Sequence, residues 1–313
     1  MKKLTILLLA ALPMLVFSCK KDGGPVSVQT GAYSDVTVVS ARLHGKLSSK
    51  DVPSDAVYGV LISKNGGVGA DNADRILATG CDSDGSFSVD TVGLSPSEPY
   101  FYRAFLEVAG RIKTGQERSF RTGELSDGRV VDLGLSVLWA SCNVGATLPQ
   151  GIGKYYAWGE LTTKDVYTWA NYKWAGADKY ATGDAPKLPA LEAEDDIARQ
   201  QPGGDLRIPT EDELKELLDD ATHVWTTYRG QAGRVVMSRS SDASIFLPAG
   251  GYKDGAELKK SGEFGEYWSS TPWDSHYAGV FEFLAPPGDM WLQKVGIIDR
   301  HLGLTIRPVK DKP

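Results

Sequence analysis

The stretch "PYFYRAFLEVAGRIKTGQERSFRT", Pro99 to Thr122, alternates bulky apolar residues with polar ones, passes through a turn, and closes on the short run "RSFRT". Side chains point to opposite faces along a strand, so a period of two argues for strands with one buried face. Upstream the pattern repeats: "VTVVSARLHGKL", "AVYGVLIS" and "GSFSVDTV" are short apolar runs separated by clusters of Gly, Asp, Asn and Pro. Residues 26–122 therefore read as an all-β sandwich.

The same closing stretch resembles the late strands of fibronectin type III-like domains. The resemblance implies that Tyr100, Tyr102 and Phe105 fill the space between two sheets. "DSDGS", Asp82 to Ser86, has the acidic spacing of a calcium loop at its start, but its glycine comes early and no glutamate closes it, so it reads as a turn between strands.

Beyond Thr122 the composition changes. All 8 tryptophans lie between Trp139 and Trp291, which sets a second core apart from the first. The polar segment "GELSDG", residues 123–128, suits an exposed hinge between two domains. In the second domain, residues 129–313, "IPTEDELKELLDDA" carries a helix start: Thr210 can cap, Glu213 can return the bond, and Leu214, Leu217 and Leu218 share a face. Glu211, Asp212 and Glu213 favour the positive end of the helix dipole. "SIFLPAGGY", "YWSST", "GVFEF" and "GLTIRPV" are strand-like pieces behind that helix, giving an α+β unit with long loops.

From Val130 onward, "VDLGLSVLWASCNVGA", "YYAWGE", "YTWANYKW", "DDIA", "LRIPTEDELKELL", "SIFLPAGGY", "EYWSST" and "GLTIRPV" occur in the order of the Fibrobacter succinogenes major paralogous domain. That family resembles the C-type lectin-like fold. Leu206 departs from it, standing where tryptophan is usual. In the stretch "GEYWSSTPW", residues 265–273, the resemblance makes Tyr267 and Trp268 core residues, and it assigns the aromatic block at 167–174 to packing. Trp273 falls where the shared blocks pause, beside Asp274, His276 and Tyr277; a second individual stretch carries Asp289 and Trp291. Loops near the late strands form the ligand face of lectin-like domains, so these six residues are the candidate contacts. An exposed indole offers a flat apolar surface for a sugar or a protein anchor, with polar neighbours to fix orientation.

The lectin calcium triplets are absent from the chain, so no metal or other cofactor is expected. The reading is a non-catalytic binding protein for a host protein or a glycan. The alternatives are an enzyme on a formylglycine-generating-enzyme-like or hydrolase scaffold, with Glu263 and Glu266 as a carboxylate pair, and a structural component of an envelope or fimbrial assembly.

The N-terminus supplies the address. Lys2 and Lys3 precede the apolar run "LTILLLAALPMLVF", which has the length of a signal-peptide core and is short for a bilayer span. The "VFSC" that follows resembles the lipobox of bacterial lipoproteins, although Phe17 occupies a place where small residues are commoner. Residues 1–18 are thus expected to be removed, Cys19 to be acylated with palmitate-like chains, and residues 19–25 to tether the chain to a membrane, most naturally the outer membrane on its surface or periplasmic face. Cys81 and Cys142 remain, one in each domain, and read as isolated thiols. The formal charge of −6 becomes −8 once Lys2 and Lys3 are lost, without a basic run, which argues against nucleic acid as a partner.

Overall fold

A computed structural model of the chain describes residues 26–49, 52–176, 178–286 and 293–313. The leader, the tether with Cys19, and the candidates Asp289 and Trp291 lie outside the described residues. The molecule is built mostly of β-sheet, with one α-helix among the described residues. No helix among them is long and apolar enough to cross a membrane.

Residues 26–122 supply β1 (Val28–Ser34), β2 (Ser40–Leu47), β3 (Val57–Ser63), β4 (Asp74–Leu77), β5 (Ser86–Val92), β6 (Pro99–Val108), β7 (Arg111–Thr114) and β8 (Arg118–Arg121). One sheet has the order β1-β2-β5, the other β4-β3-β6-β7 with β8 also on β6. Leu43, Phe87 and Val89 of the first sheet meet Val60, Ile62, Tyr102, Ala104 and Leu106 of the second, which makes the sandwich expected from the alternation. Two polar links fasten the layers: the Tyr102 hydroxyl donates to the Gly31 carbonyl at 2.9 Å in a part-buried bond, and Thr30 Oγ1 accepts the Ala104 N–H at 3.0 Å in a buried one.

Phe105 corrects the sequence reading. It lies an odd number of residues from Tyr100 and Tyr102, so it faces the opposite side of β6 and is covered there by Leu61, Val68 and Phe101. Arg75 stacks over its ring at 4.7 Å. The "DSDGS" segment is the turn it was expected to be, with Asp84 accepting the Ser86 N–H at 3.0 Å and pairing with Lys46 at 2.9 Å.

The rest of the chain supplies β9 (Val130–Val131), β10 (Val137–Ala140), β11 (Ala181–Thr182), β12 (Ala185–Pro186), α1 (Glu211–Asp220), β13 (Thr222–Tyr228), β14 (Gln231–Met237) and β15 (Ser244–Pro248). It ends with β16 (Tyr252–Asp254), β17 (Glu257–Lys259), β18 (Phe264–Pro272), β19 (Tyr277–Leu284), β20 (Gln293–Asp299) and β21 (Val309–Asp311). Three three-stranded sheets result, ordered β21-β10-β9, β13-β14-β15 and β18-β19-β20, with the two-stranded pairs β11-β12 and β16-β17 beside them.

Helix α1 begins as its sequence predicts. Thr210 Oγ1 accepts the Glu213 N–H, and Glu213 Oε2 accepts the Thr210 N–H at 2.8 Å. Leu214 and Leu217 are buried against Trp139, Tyr267, Phe281 and Phe283. "GLTIRPV" is only partly a strand: Leu304 and Thr305 make single bridges, and the regular strand starts at Val309, past Pro308, which has no N–H to give.

Residues 26–122 and the remainder touch. Val38 and Val39 pack against Tyr228, Val235 and Phe246, and the Thr226 hydroxyl reaches the carbonyls of Gly93 and Leu94 at 3.0 and 2.9 Å. The connecting segment 123–128, expected to be an exposed hinge, is fastened at both ends. Gly123 donates its N–H to Thr37, Leu125 joins the apolar contact, and Ser126 Oγ accepts the Ser244 N–H at 2.9 Å.

Candidate functional site

Strand β18 answers what the "GEYWSSTPW" stretch is for. Tyr267 and Trp268 are buried; the Tyr267 hydroxyl donates to the Pro248 carbonyl, and Trp268 Nε1 donates to the Tyr156 carbonyl at 2.8 Å. The serines are buried too. Ser269 offers its carbonyl to Trp158 Nε1 at 2.9 Å, while Ser270 donates its N–H to Pro209. Up to Pro272 the stretch is core.

Trp273 is not. The register between β18 and β19 slips between Trp268 and Pro272, and the turn that follows lifts Trp273 to 52% exposure, with Tyr277 at 38%. Asp274 folds back into this turn: its Oδ1 accepts the N–H groups of both His276 and Tyr277 at 2.7 Å, the bonding that favours aspartate in turns. Ser275 donates its N–H to the Gly183 carbonyl, tying the tip to the β11–β12 hairpin.

The base of the turn rests on Arg300. This side chain is fully buried; its main-chain N–H goes to the His276 carbonyl, its Nε to the Tyr277 carbonyl at 3.0 Å, and its Nη1 to Asp178 Oδ2 at 2.8 Å. The guanidinium also lies 4.3 Å from the centre of the Trp158 ring, so its charge meets a carboxylate and a π face in place of water. Beside it, burial raises the Tyr172 phenol well above its ordinary pKa, and its hydroxyl donates to the Trp158 carbonyl at 3.0 Å.

His276 is turned toward the aromatic block. Trp169 stands 5.2 Å from the His276 ring and 4.8 Å from the His301 ring, which burial holds below the usual imidazole pKa. Tyr167 and Tyr172 of the same block are buried, in keeping with a packing role. Next to the tip, Ser275, Gly183, Asp178 and the lysines Lys179 and Lys187 border a wide hollow of about 580 Å³.

Four of the candidate residues thus come together on one turn, with different duties. Asp274 braces it, and Trp273, His276 and Tyr277 are exposed on it, with the His276 ring beside Trp169. Sequence reasoning missed Arg300 and Asp178, which hold the turn in place; in "VGIIDRH" Arg300 simply follows Asp299, and nothing local marks it as buried. The carboxylate pair considered for hydrolysis is split: Glu263 is exposed and paired with Lys260, whereas Glu266 is 3% exposed and pushed up to about 8 by burial and by Glu282. Cys81 and Cys142 are free and half-buried.

No family model and no curated protein matches this chain. Among solved structures, the sensor domain of the anti-sigma factor RsgI4 of Pseudobacteroides cellulosolvens is similar over 33% of this chain and 80% of that one, with 15% identity and a TM-score of 0.25. A human fibronectin type III domain, from the KIAA0970 protein, is similar over 33% of this chain and 77% of that one, with 17% identity and a TM-score of 0.23.

Proposed function

We propose that this chain is a non-catalytic, lipid-anchored protein of the bacterial cell envelope that binds a protein or glycan ligand through the turn between β18 and β19. The N-terminal sandwich is a spacer above an acylated Cys19, and residues 129–313 are a lectin-like unit whose late loops face the ligand. The supporting observation is Trp273: a large apolar ring, half exposed, on a turn braced by Asp274 and Arg300.

A turn held this way loses little main-chain freedom on binding, and covering the Trp273 ring removes apolar surface worth roughly 25 cal/mol per Å². Tyr277 extends that surface. Ser275 and Lys187, which border the neighbouring hollow, supply hydrogen-bond donors to orient what stacks there.

The test is an array of glycans and host matrix proteins probed with soluble protein spanning residues 22–313. Wild type is expected to capture a defined class, and Trp273→Ala to release it at an unchanged melting temperature. Capture that survives the substitution would place recognition elsewhere.

A further inference from the structure

A second hollow, of about 900 Å³, does not involve the Trp273 turn; it lies where the sandwich meets strand β13. Three sheet edges converge on it. β4 and β5 each end the order of their sheets, and β13 ends a third, so each has one side without a strand partner among the described residues.

The register of the β13–β14 hairpin shows which backbone groups face the opening. Tyr228 and Gln231 flank the two-residue turn and exchange bonds with each other, as do Thr226 with Gly233 and Val224 with Val235. The alternate residues, Trp225 and Thr227, therefore point their N–H and C=O away from β14 and toward the cleft. Both residues line it. The Ala249 N–H bonds to the carbonyl of Ala232, the residue opposite Thr227, as this alternation requires.

The walls match an extended chain. Val92, at the end of β5, is 73% exposed, an unguarded apolar side chain on a free edge. The Trp225 indole packs the other way, against Phe283, so Trp225 borders the cleft with its main chain, and Ile76 of β4 lies in the wall. At the rim, Asp71 and Asp74 have no ion-pair partner among the described residues, while Lys64 is occupied by Ser95 Oγ at 2.7 Å.

We infer that this cleft binds a short extended peptide as an added strand on the free edge of β13. An apolar side chain of that peptide covers Val92 and Ile76, and a basic one reaches Asp71 and Asp74. Main-chain bonds to Thr227 and Trp225 supply the affinity; the two pockets supply selectivity.

A displayed library of random dodecapeptides, panned on the full chain, tests this. Enriched peptides are expected to carry a Lys or Arg beside an aliphatic or aromatic residue. Thr227→Pro removes the outward N–H without touching the β13–β14 ladder, and should weaken the best peptide at least tenfold, whereas Thr227→Ala, which keeps that N–H, should not. Val92→Arg, at an exposed position, blocks the cleft independently should the proline disturb folding, and is expected to weaken binding as strongly. Trp273→Ala should leave it unchanged, which separates this site from the turn. The inference is overturned by a library that yields no binder, by binders that survive Thr227→Pro and Val92→Arg, or by binders lost on Trp273→Ala alone. It is equally overturned by an arrayed glycan that Val92→Arg releases and Thr227→Pro does not.

Discussion

The buried guanidinium of Arg300 donates from Nε to the main-chain carbonyl of Tyr277 at 3.0 Å, which joins the start of β19 to the end of β20 just beneath the exposed ring of Trp273. Removing that side chain strands Asp178, whose carboxylate is nearly as buried as its partner. Breaking a buried pair from one side typically costs about 3–5 kcal/mol. Arg300→Leu is therefore expected to lower stability by that order in urea titration and to abolish capture on the ligand array. A variant with unchanged stability would mean that the tip does not depend on this clamp.

Glu266 carries a pH dependence whose sign follows from its surroundings. Its carboxyl sits in β18 opposite Glu282 of β19, with Oε2 unpartnered, and burial raises it from 4.5 to about 8. Below pH 4.5 the proton is held in both folded and unfolded chains. Between there and about 8 the unfolded chain releases it and the folded one does not, so stability falls with rising pH by up to roughly 1.4 kcal/mol per unit. Glu282 itself is engaged by Lys294 at 3.2 Å, which leaves Glu266 without a cation. Urea midpoints of wild type should decline from pH 5 to pH 8, and Glu266→Gln should flatten the decline and be the more stable protein at pH 9. A flat wild-type profile would contradict the assignment.

What was legible in the sequence is what is written locally. The helix start at Thr210 and Glu213 is a spacing of three residues, and both of its bonds are present. The alternation around Tyr102 is a matter of neighbours, although counting Phe105 with it ignored the parity that sends it to the other face. The β13–β14 hairpin escaped notice because its turn is Arg229-Gly230, both with positive φ at 47° and 84°. Such turns favour asparagine or aspartate in the first place, and arginine there conceals the signal. Arg300 was invisible for a different reason: Asp178 lies 122 residues away, and only the fold makes them a pair.

That overlooked hairpin also fastens the two ends of the molecule. The buried Thr226 hydroxyl donates to the carbonyls of exposed Gly93 and buried Leu94, and the Leu94 carbonyl loses that partner if it is removed. Thr226→Val keeps the shape and deletes the donor, so it should cost about 1–3 kcal/mol by calorimetry. The exposed Val92→Ala nearby should cost under about 0.5 kcal/mol. Equal effects from the two would show that this contact does not hold residues 26–122 against β13.

Trp268 and Trp273 stand five positions apart and separate structure from recognition. Trp268 is 1% exposed and spends its indole N–H on Tyr156, so Trp268→Ala opens a cavity and loses a hydrogen bond, for roughly 3–5 kcal/mol. Trp273, at 52% exposure, has little left to lose in the folded state, and Trp273→Ala should change stability by no more than about 0.5 kcal/mol. Because the exposed ring adds little to stability, a binding defect in Trp273→Ala would report on contact with the ligand and not on damage to the fold. Should that variant instead melt like Trp268→Ala, the ring is a staple for the turn, and the recognition surface must be sought away from it.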